Sequence, residues 1–292
     1  KRYEKGGAVW WDLQRNAQGK AIIPDARNDE NIIVSRMQVL FIRFHNKVVD
    51  YLREEGFKGN VFNEARRLVI WYYHWLIIYE YLYKIMDWEV FESIKNEGCK
   101  YFTTPVGLPL EFTGAAFRTG HSQTRELNRI NDKTEKNLFE LGFFNRMEEY
   151  VDWRYIFNFG DGKCQFAQLI DTEIGKAFHD IPFIKADRRI DRSLPFLNLS
   201  RGVAYGLPSG EDVARRMGFE PIEVEETRKL GLGGTPLWYY ILREAEIEGH
   251  KGEHLGPVGS TILGECFFTI MRWDDLSYLK LHPKWKPSLG KD

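Results

Sequence analysis

Apolar residues at helical spacing run through most of this sequence, and they constrain its fold more than any other feature. From about Ile33 to Glu55, apolar side chains recur every three or four residues, which predicts an amphipathic helix. The segment from Glu64 to Met86 is more apolar and predicts a second, buried helix. Alternation typical of strands is almost absent. We therefore expect a mainly α fold, with one multi-helix domain over residues 1–292.

Later segments carry the signals of helix ends. "SGEDVARRMG" begins with Ser209 in a capping position and stops at Gly218, which predicts a short helix. "TPLWYYILREAEIEG" has Thr235 as the expected N-cap, Pro236 at the first helical position and Gly249 just after the end. A last helix is predicted from an apolar stripe that comprises Ile262, Leu263, Cys266, Phe267, Ile270 and Met271.

Two stretches, residues 99–114 and 158–207, are marked by Gly and Pro and are expected to be irregular. Long ordered loops in a domain of this kind tend to carry function. The functional side chains are therefore expected partly in these stretches.

Composition excludes several classes of protein. The 41 Lys and Arg balance 42 Asp and Glu, so no broad attraction to nucleic acid or to an anionic membrane is expected. The longest uncharged apolar stretch runs from Leu68 to Tyr79, shorter than the ~18–20 residues of a membrane-spanning helix. The three cysteines form no CxxC pair, which favours a reducing compartment. With no visible signal peptide, they favour the cytoplasm.

Four short motifs receive ordinary structural interpretations. "HKGEH", from His250 to His254, matches a zinc motif only if it is helical, and its glycines oppose a helix. "GLGG", from residue 231, lacks the Lys of a phosphate loop and predicts a turn. His74 lies in an aromatic run and is expected to be a core residue. Asn198 heads a formal glycosylation acceptor, but its apolar neighbours favour burial.

His121 is the histidine whose surroundings point to a site. It follows the small-residue run "AAFRTG", and small residues let a backbone or a large flat ligand come close. An axial metal ligand and an ordinary His at a helix end fit this spacing equally well. The spacing alone does not decide between them.

Several collinear motifs cover nearly the whole chain. They read, in order, "RNDE", "RFHN", "EARRLVIWYYHWLIIYEYL", "AAFRTGHS", "LNLSRGVAYGLPSGEDVARRMG" and "GPVGSTILGECF". Together they resemble the animal-type, myeloperoxidase-like haem peroxidase superfamily, especially its bacterial branch. The resemblance implies a haem peroxidase-like domain of which this sequence holds the C-terminal major part.

The resemblance also implies roles for individual residues. His121 stands where the family has its proximal haem iron ligand, and Asn198 where the family hydrogen-bonds that histidine. Arg118 and Arg201 stand where side chains meet the haem propionates. Such an imidazole, held by a fixed acceptor, donates electron density to iron.

The stretch "RNDE" matches the distal side of the family's haem pocket. Arg27 stands where the family has its distal catalytic Arg, whose guanidinium would stabilise negative charge on the leaving peroxide oxygen. Glu30 stands where several members carry a carboxylate esterified to haem. The acidic residues of "RNDE" also suit the start of a helix. Both interpretations apply to this stretch.

This sequence departs from the family in three places. The distal His, which takes the first proton of the peroxide, lies upstream of "RNDE" together with a calcium-ligating Asp, yet residues 1–24 contain no His. The base is therefore expected from a segment outside this sequence or from a second chain, and calcium only through that segment. Asn31 excludes the sulfonium link to haem that a Met forms in some members. "RGVAYG" replaces the commoner Arg-Gly-Arg-Asp-His-Gly.

The expected function is a haem b peroxidase that reduces hydrogen peroxide and oxidises a small electron donor through an oxoferryl intermediate. One alternative is a fatty-acid oxygenase of the same superfamily, which would use a Tyr radical three residues before the proximal His, where this sequence has Arg118. The other alternative is a non-catalytic haem-binding or scaffold protein. The upstream coding sequence discriminates between an enzyme and such a pseudoenzyme.

Overall fold

A computed structural model describes residues 1–5, 7–104, 106–143 and 149–289. The chain divides into two compact units. Unit 1 takes in the described residues of Lys1–Val69 and Arg125–Ala167, and unit 2 those of Ile70–Thr124 and Gln168–Asp292. The expectation of one domain over residues 1–292 stays a prediction. Within the described ranges, no helix has the length and apolar character needed to cross a membrane.

Helices dominate, as the sequence predicts. The α-helices are α1 (Ile32–Glu54), α2 (Val61–Leu76), α3 (Tyr83–Ile85), α4 (Trp88–Glu97), α5 (Leu110–Gly114), α6 (Glu140–Phe143), α7 (Leu194–Ala204), α8 (Gly210–Met217), α9 (Glu225–Lys229), α10 (Leu237–Glu248), α11 (Pro257–Trp273) and α12 (Tyr278–Leu281). A π-helical segment, Ile77–Leu82, joins α2 to α3. Turns of 3-10 helix are Ala26–Asp29, Ala116–His121, Trp153–Tyr155, Lys176–His179 and Arg189–Arg192.

Two antiparallel hairpins were not predicted. Strands β1 (Arg2–Lys5) and β2 (Ala8–Trp11) pair through a turn in which Gly7 adopts a φ of 81°. Strands β3 (Leu127–Asn131) and β4 (Thr134–Asn137) form the second pair. Each strand has four or five residues, too few for an alternating pattern to stand out in a sequence.

Unit 1 has a small core beside α1. Ile32, Ile130, Leu141 and Val151 bury their side chains together. The 3-10 turn Ala26–Asp29 precedes α1, and the Asn31 side chain caps α1 by accepting from the Val34 N–H. The predicted amphipathic helix is thus confirmed to within one residue at each end.

Unit 2 is built around α11, which is buried on nearly every side. Its small residues allow this, because a Cβ at Gly264 would lie 2.3 Å from Met86 Cε and one at Gly259 would lie 2.7 Å from Ile241. A helix that is apolar all round belongs in a core. Ile270, expected in the apolar stripe, is 43% exposed, and Trp273 at the end of the helix is 56% exposed.

Several expected boundaries need correction. The second predicted helix is interrupted by the π-helical segment. The stretch 158–207 is not irregular to its end, because α7 lies within it. Pro236, rather than Thr235, is the N-cap of α10. Thr235 instead binds the Glu211 carboxylate through both its N–H (2.9 Å) and its hydroxyl (2.6 Å), which holds it outside the helix.

Other expectations about local structure are confirmed. The Ser209 hydroxyl accepts from the Asp212 N–H and caps α8, which ends at Gly218 with a φ of 80°. The segment from His250 to Glu253 is a turn rather than a helix, so it lacks the geometry that the zinc motif requires. Residues 231–234 are turn or irregular, and Asn198 is fully buried.

Candidate functional site

His121 ends the 3-10 turn that follows α5 in unit 2. Ala115, with φ of −131° and ψ of −73°, breaks the α-helix and lets the tighter turn begin. The hydroxyls of Thr119 and Ser122 then donate to carbonyl oxygens three residues earlier and hold the turn. The His121 Nδ1 lies 3.0 Å from the Arg118 carbonyl oxygen. When Nδ1 carries the proton and donates it there, Nε2 keeps the lone pair that can bind a metal.

The electrostatic surroundings of His121 favour that neutral imidazole. Burial lowers the pKa of His121, and the nearby guanidinium groups of Arg118 and Arg201 lower it further, against the effect of the hydrogen bond to the Arg118 carbonyl. The Phe178 ring packs edge-on at 5.5 Å between ring centroids. A neutral ring in a partly apolar setting is the form of histidine that ligates a metal.

The small residues before His121 serve a different purpose from the one expected. Ala115 and Ala116 are buried within the core of unit 2. A Cβ at Gly114 would lie 3.0 Å from the Tyr205 ring and 3.1 Å from Leu207. These positions are small because protein packs against them. Of the small residues in this run, Gly120 is exposed, and its nearest neighbour is Gln123 Oε1 at 4.0 Å.

Helix α7 carries Asn198 and Arg201 one turn apart. The Asn198 Oδ1 accepts a hydrogen bond from the Arg201 guanidinium at 2.9 Å. The resemblance predicts a hydrogen bond between Asn198 and His121, but the two side chains have other partners here. His121 Nδ1 faces the Arg118 carbonyl in its own turn, and Asn198 Oδ1 accepts from the Arg201 guanidinium. A hydrogen bond from a charged donor is stronger than one from a neutral donor, which explains why Asn198 Oδ1 pairs with Arg201.

The structure brings Arg118 and Arg201 together in unit 2. Burial lowers the pKa of Arg118, and the charge of Arg201 lowers it further. The Arg118 Nε donates to the Thr113 carbonyl at 2.7 Å, which fixes the plane of the guanidinium. Two cations that destabilise each other beside a half-buried imidazole favour an anionic group at this place.

Arg27 and Glu30 belong to unit 1, and both are exposed there. The Arg27 guanidinium pairs with the Asp25 carboxylate at 2.6 Å and is 80% exposed. Asp25 also accepts from the Arg27 N–H and begins the 3-10 turn. The expectation that "RNDE" starts a helix therefore holds for this short turn, whereas the long helix starts at Ile32.

Two features near the predicted residues carry no local sequence signal. Arg15 forms a two-pronged ion pair with Asp29, which lies inside "RNDE". Trp238, on α10, donates its indole N–H to the Arg118 carbonyl at 3.4 Å, the same oxygen that faces His121. Each contact depends on segments brought together by folding, so no spacing in the sequence announces it.

The residues of unit 2 fit a haem group. His121 presents a neutral imidazole whose Nδ1 is already engaged, and Arg118 and Arg201 supply positive charge for carboxylates. The Nδ2 of Asn198 is buried and has no hydrogen-bond partner within the described part of the chain. A buried polar atom in that state is costly, and a bound group can satisfy it. Haem iron is commonly held by such a proximal histidine.

Comparison with known proteins identifies the family. The family model described as animal haem peroxidase matches residues 11–229, and the chain belongs to that family. It is 27% identical over 288 residues to the chorion peroxidase of Drosophila melanogaster, which covers 87% of this chain and 34% of that protein. It is also 27% identical over 189 residues to peroxidase mlt-7 of Caenorhabditis elegans, covering 63% and 26% respectively.

A solved structure has the same fold. Peroxidase A from Dictyostelium discoideum superposes with a TM-score of 0.60 at 16% identity, over 95% of this chain and 58% of that one. The mainly α peroxidase fold is thereby confirmed. The chain spans between a quarter and two fifths of the length of the curated relatives that it matches. The bacterial branch stays a prediction.

Proposed function

We propose that this chain is part of a haem-dependent peroxidase that reduces hydrogen peroxide and oxidises a small electron donor. The observation that carries the proposal is the arrangement at His121. Its Nδ1 faces the Arg118 carbonyl at 3.0 Å, which leaves Nε2 as the ligand nitrogen, and two arginine side chains lie close to the ring. Membership of the animal haem peroxidase family supports it.

In this proposal, unit 2 holds haem b. His121 binds the iron through Nε2, and Arg118 and Arg201 pair with the propionates. Asn198 holds Arg201 through its Oδ1 and offers its unpaired Nδ2 to the bound group. Haem, when bound, supplies the iron that exchanges electrons with peroxide.

Arg27 acts on the peroxide. Its guanidinium stabilises the negative charge that builds on the leaving oxygen as the O–O bond breaks. The distal base that takes the first proton comes from a histidine outside these residues, either in an upstream segment of the same protein or in a second chain. For each peroxide, two electrons from the donor and two protons yield two water molecules.

Two finer points belong to the same proposal. Glu30 is exposed. In this proposal its carboxyl group forms an ester with a haem methyl group, a two-electron oxidation in which hydrogen peroxide is the oxidant and is reduced to water. The ester would keep haem attached through acid denaturation and organic extraction. Mass spectrometry of a proteolytic digest tests it, because a peptide covering residues 26–36 without haem mass removes the ester. Calcium binds only through the upstream segment.

The test of the proposal begins with a haemin titration. The wild-type chain should develop a Soret band, and so should the control His250→Ala, which removes an exposed histidine. His121→Ala should not develop one. Arg118→Gln and Arg201→Gln should weaken haem binding. An unchanged spectrum in His121→Ala would remove the assignment of the ligand.

Activity separates the alternatives. With the distal histidine supplied, the haem-loaded protein should oxidise a phenolic donor at the expense of peroxide. Oxygen uptake with a polyunsaturated fatty acid, without peroxidase turnover, would indicate the oxygenase. Haem binding with neither activity would indicate the non-catalytic haem-binding or scaffold protein.

A further inference from the structure

A buried ion network holds the segment that carries Arg27. The Arg15 guanidinium donates to both oxygens of Asp29, at 2.8 and 3.0 Å, in the parallel geometry that makes Arg–carboxylate pairs strong and directional. The same guanidinium donates to both oxygens of Asp12, at 2.6 and 3.0 Å, and to the Gly19 carbonyl at 3.0 Å. Five donor contacts fix this one side chain in unit 1.

The network is shielded from water and tied to α1. The side chains of Arg15 and Asp29 are 10% and 13% exposed, and the Asp12 carboxylate is fully buried. Arg36, on α1, donates to Asp12 at 2.5 Å. The hydrogen bond to Asp29, followed by that to Asp12, raises the pKa of Arg15. An arginine side chain is charged throughout the physiological range even without such a shift. Asp29 is therefore anchored to the body of unit 1.

Two further contacts hold the same segment. The Asn28 amide donates to Gln38 of α1 at 2.8 Å. A Cβ at Gly142 would lie 3.0 Å from the Glu30 carbonyl oxygen, so α6 packs directly against that backbone. Residues on both sides of Asp29 are thus constrained. Arg27 differs, because its side chain extends to the surface and pairs only with nearby Asp25 among the contacts described above.

We propose that Arg15 and Asp29 are positioning residues for Arg27: their largely buried ion pair fixes the backbone of residues 26–30 and thereby the position from which the Arg27 side chain extends. The proposal rests on the proposed function in assigning Arg27 to the peroxide reaction. The proposal has a structural half, that the pair orders the Arg27 backbone, and a catalytic half, that this order speeds the peroxide reaction. The structural half can be tested in the absence of haem. A misplacement of about 1 Å at a catalytic group can cost about 100-fold in rate, which gives such an anchor its value.

The structural half is tested by limited trypsin digestion after Arg27. In Asp29→Ala, cleavage at Arg27 should be about 10- to 100-fold faster than in the wild type, the scale expected on losing hydrogen bonds between charged groups. Rates are normalised to free peptides of residues 20–36 with the same substitution, because an acidic neighbour affects trypsin directly. Asp29→Asn keeps the shape of the side chain and one acceptor oxygen, so its normalised cleavage rate should lie between those of the wild type and Asp29→Ala. Glu64→Gln removes a partly exposed ion pair elsewhere in unit 1 and serves as the control.

The catalytic half uses the full chain loaded with haem and supplied with the distal histidine. Asp29→Ala should slow the reaction with peroxide by about tenfold or more, while haem affinity and the Soret position stay at wild-type values. The effect of Arg15→Gln should add little to that of Asp29→Ala in the double variant, because both residues act through one pair.

The outcomes separate the two proposals. Unchanged trypsin cleavage in Asp29→Ala overturns the positioning role, and so does faster cleavage without any change in the peroxide rate. If Asp29 has only a structural role, Asp29→Asn should lose haem affinity and should unfold at a lower midpoint. That result would also overturn the positioning role. A wild-type protein that binds no haem refutes the proposed function, whereas the digestion still decides the structural half.

Discussion

The Nδ1 atom of His121 lies 3.0 Å from the carbonyl oxygen of Arg118, three residues earlier in the same 3-10 turn. This contact sets which ring nitrogen of His121 is available to a metal. The same oxygen accepts a longer bond of 3.4 Å from the Trp238 indole N–H. Two donors therefore share one acceptor, and the strength of one bond limits that of the other.

Removing the Trp238 N–H should strengthen the bond to His121. In Trp238→Phe, the carbonyl becomes a better acceptor, His121 gains anionic character, and the haem iron becomes harder to reduce. We expect the reduction potential to fall by about 20 mV, equivalent to the ~0.5 kcal/mol of a weak hydrogen bond. Spectroelectrochemical titration measures it. Trp273→Phe, which loses an indole bond to Thr103 instead, should leave the potential unchanged, and equal potentials in wild type and Trp238→Phe would contradict the prediction.

Asn198 can act in two ways that one variant distinguishes. If it holds Arg201, as the 2.9 Å bond indicates, Asn198→Ala should weaken haem binding by about tenfold at an unchanged reduction potential. If it orients His121 in the loaded protein, as the family resemblance implies, the potential should shift as well. Haem titration and potentiometry give both answers. Asn96→Ala, on α4, is the matched control, and wild-type affinity together with a wild-type potential would exclude both roles.

Arg27 should matter for peroxide and not for haem binding. Arg27→Ala, with the distal histidine supplied, should slow the first reaction with peroxide by about 100-fold, because a fixed donor to the leaving oxygen is lost. Stopped-flow absorbance of the haem-loaded protein measures this step. Arg53→Ala removes an exposed arginine from α1 and should react normally. If Arg27 serves only in its exposed pair with Asp25, the two variants will behave alike.

Glu244 should make stability fall as pH rises. Its side chain on α10 is buried and accepts from the N–H groups of Val258 and Gly259 at the start of α11. Burial raises its pKa from 4.5 to about 8. Between these values the folded protein keeps a proton that the unfolded chain releases, so the free energy of unfolding decreases with rising pH and levels off above about 8.

Urea unfolding from pH 4.5 to 8.5, followed by tryptophan fluorescence, tests this. Glu244→Gln should lack most of this decrease in the free energy of unfolding, which is on the order of a few kcal/mol in the wild type. The variant should therefore exceed the wild type in stability most clearly at high pH. The control Glu253→Gln, at an exposed position, should show the same dependence of the free energy of unfolding on pH as the wild type. Parallel curves for the wild type and Glu244→Gln would contradict the prediction.

The sequence by itself determined the four longest helices, α1, α2, α10 and α11, and the order of the family motifs. Periodic apolar spacing and capping residues act over three or four positions, so α1, α8 and α10 could be located within about one residue of their ends. The motif around His121 also lies within a few consecutive residues, so it could be recognised in the sequence. Strands of four or five residues and the Gly-containing helix α7 were missed, because their local signals are weak.

Only the tertiary structure decided which partners the site residues take. Trp238 reaches the Arg118 carbonyl across 120 positions, and Glu265 accepts from the N–H groups of Lys100, Tyr101 and Phe102 at 2.7 to 2.9 Å. Burial, and with it the lowered pKa of His121 and the raised pKa of Glu244, depends on segments that are distant in sequence. Local spacing carries no information on such contacts, because hydrogen bonding and desolvation depend on distance in space.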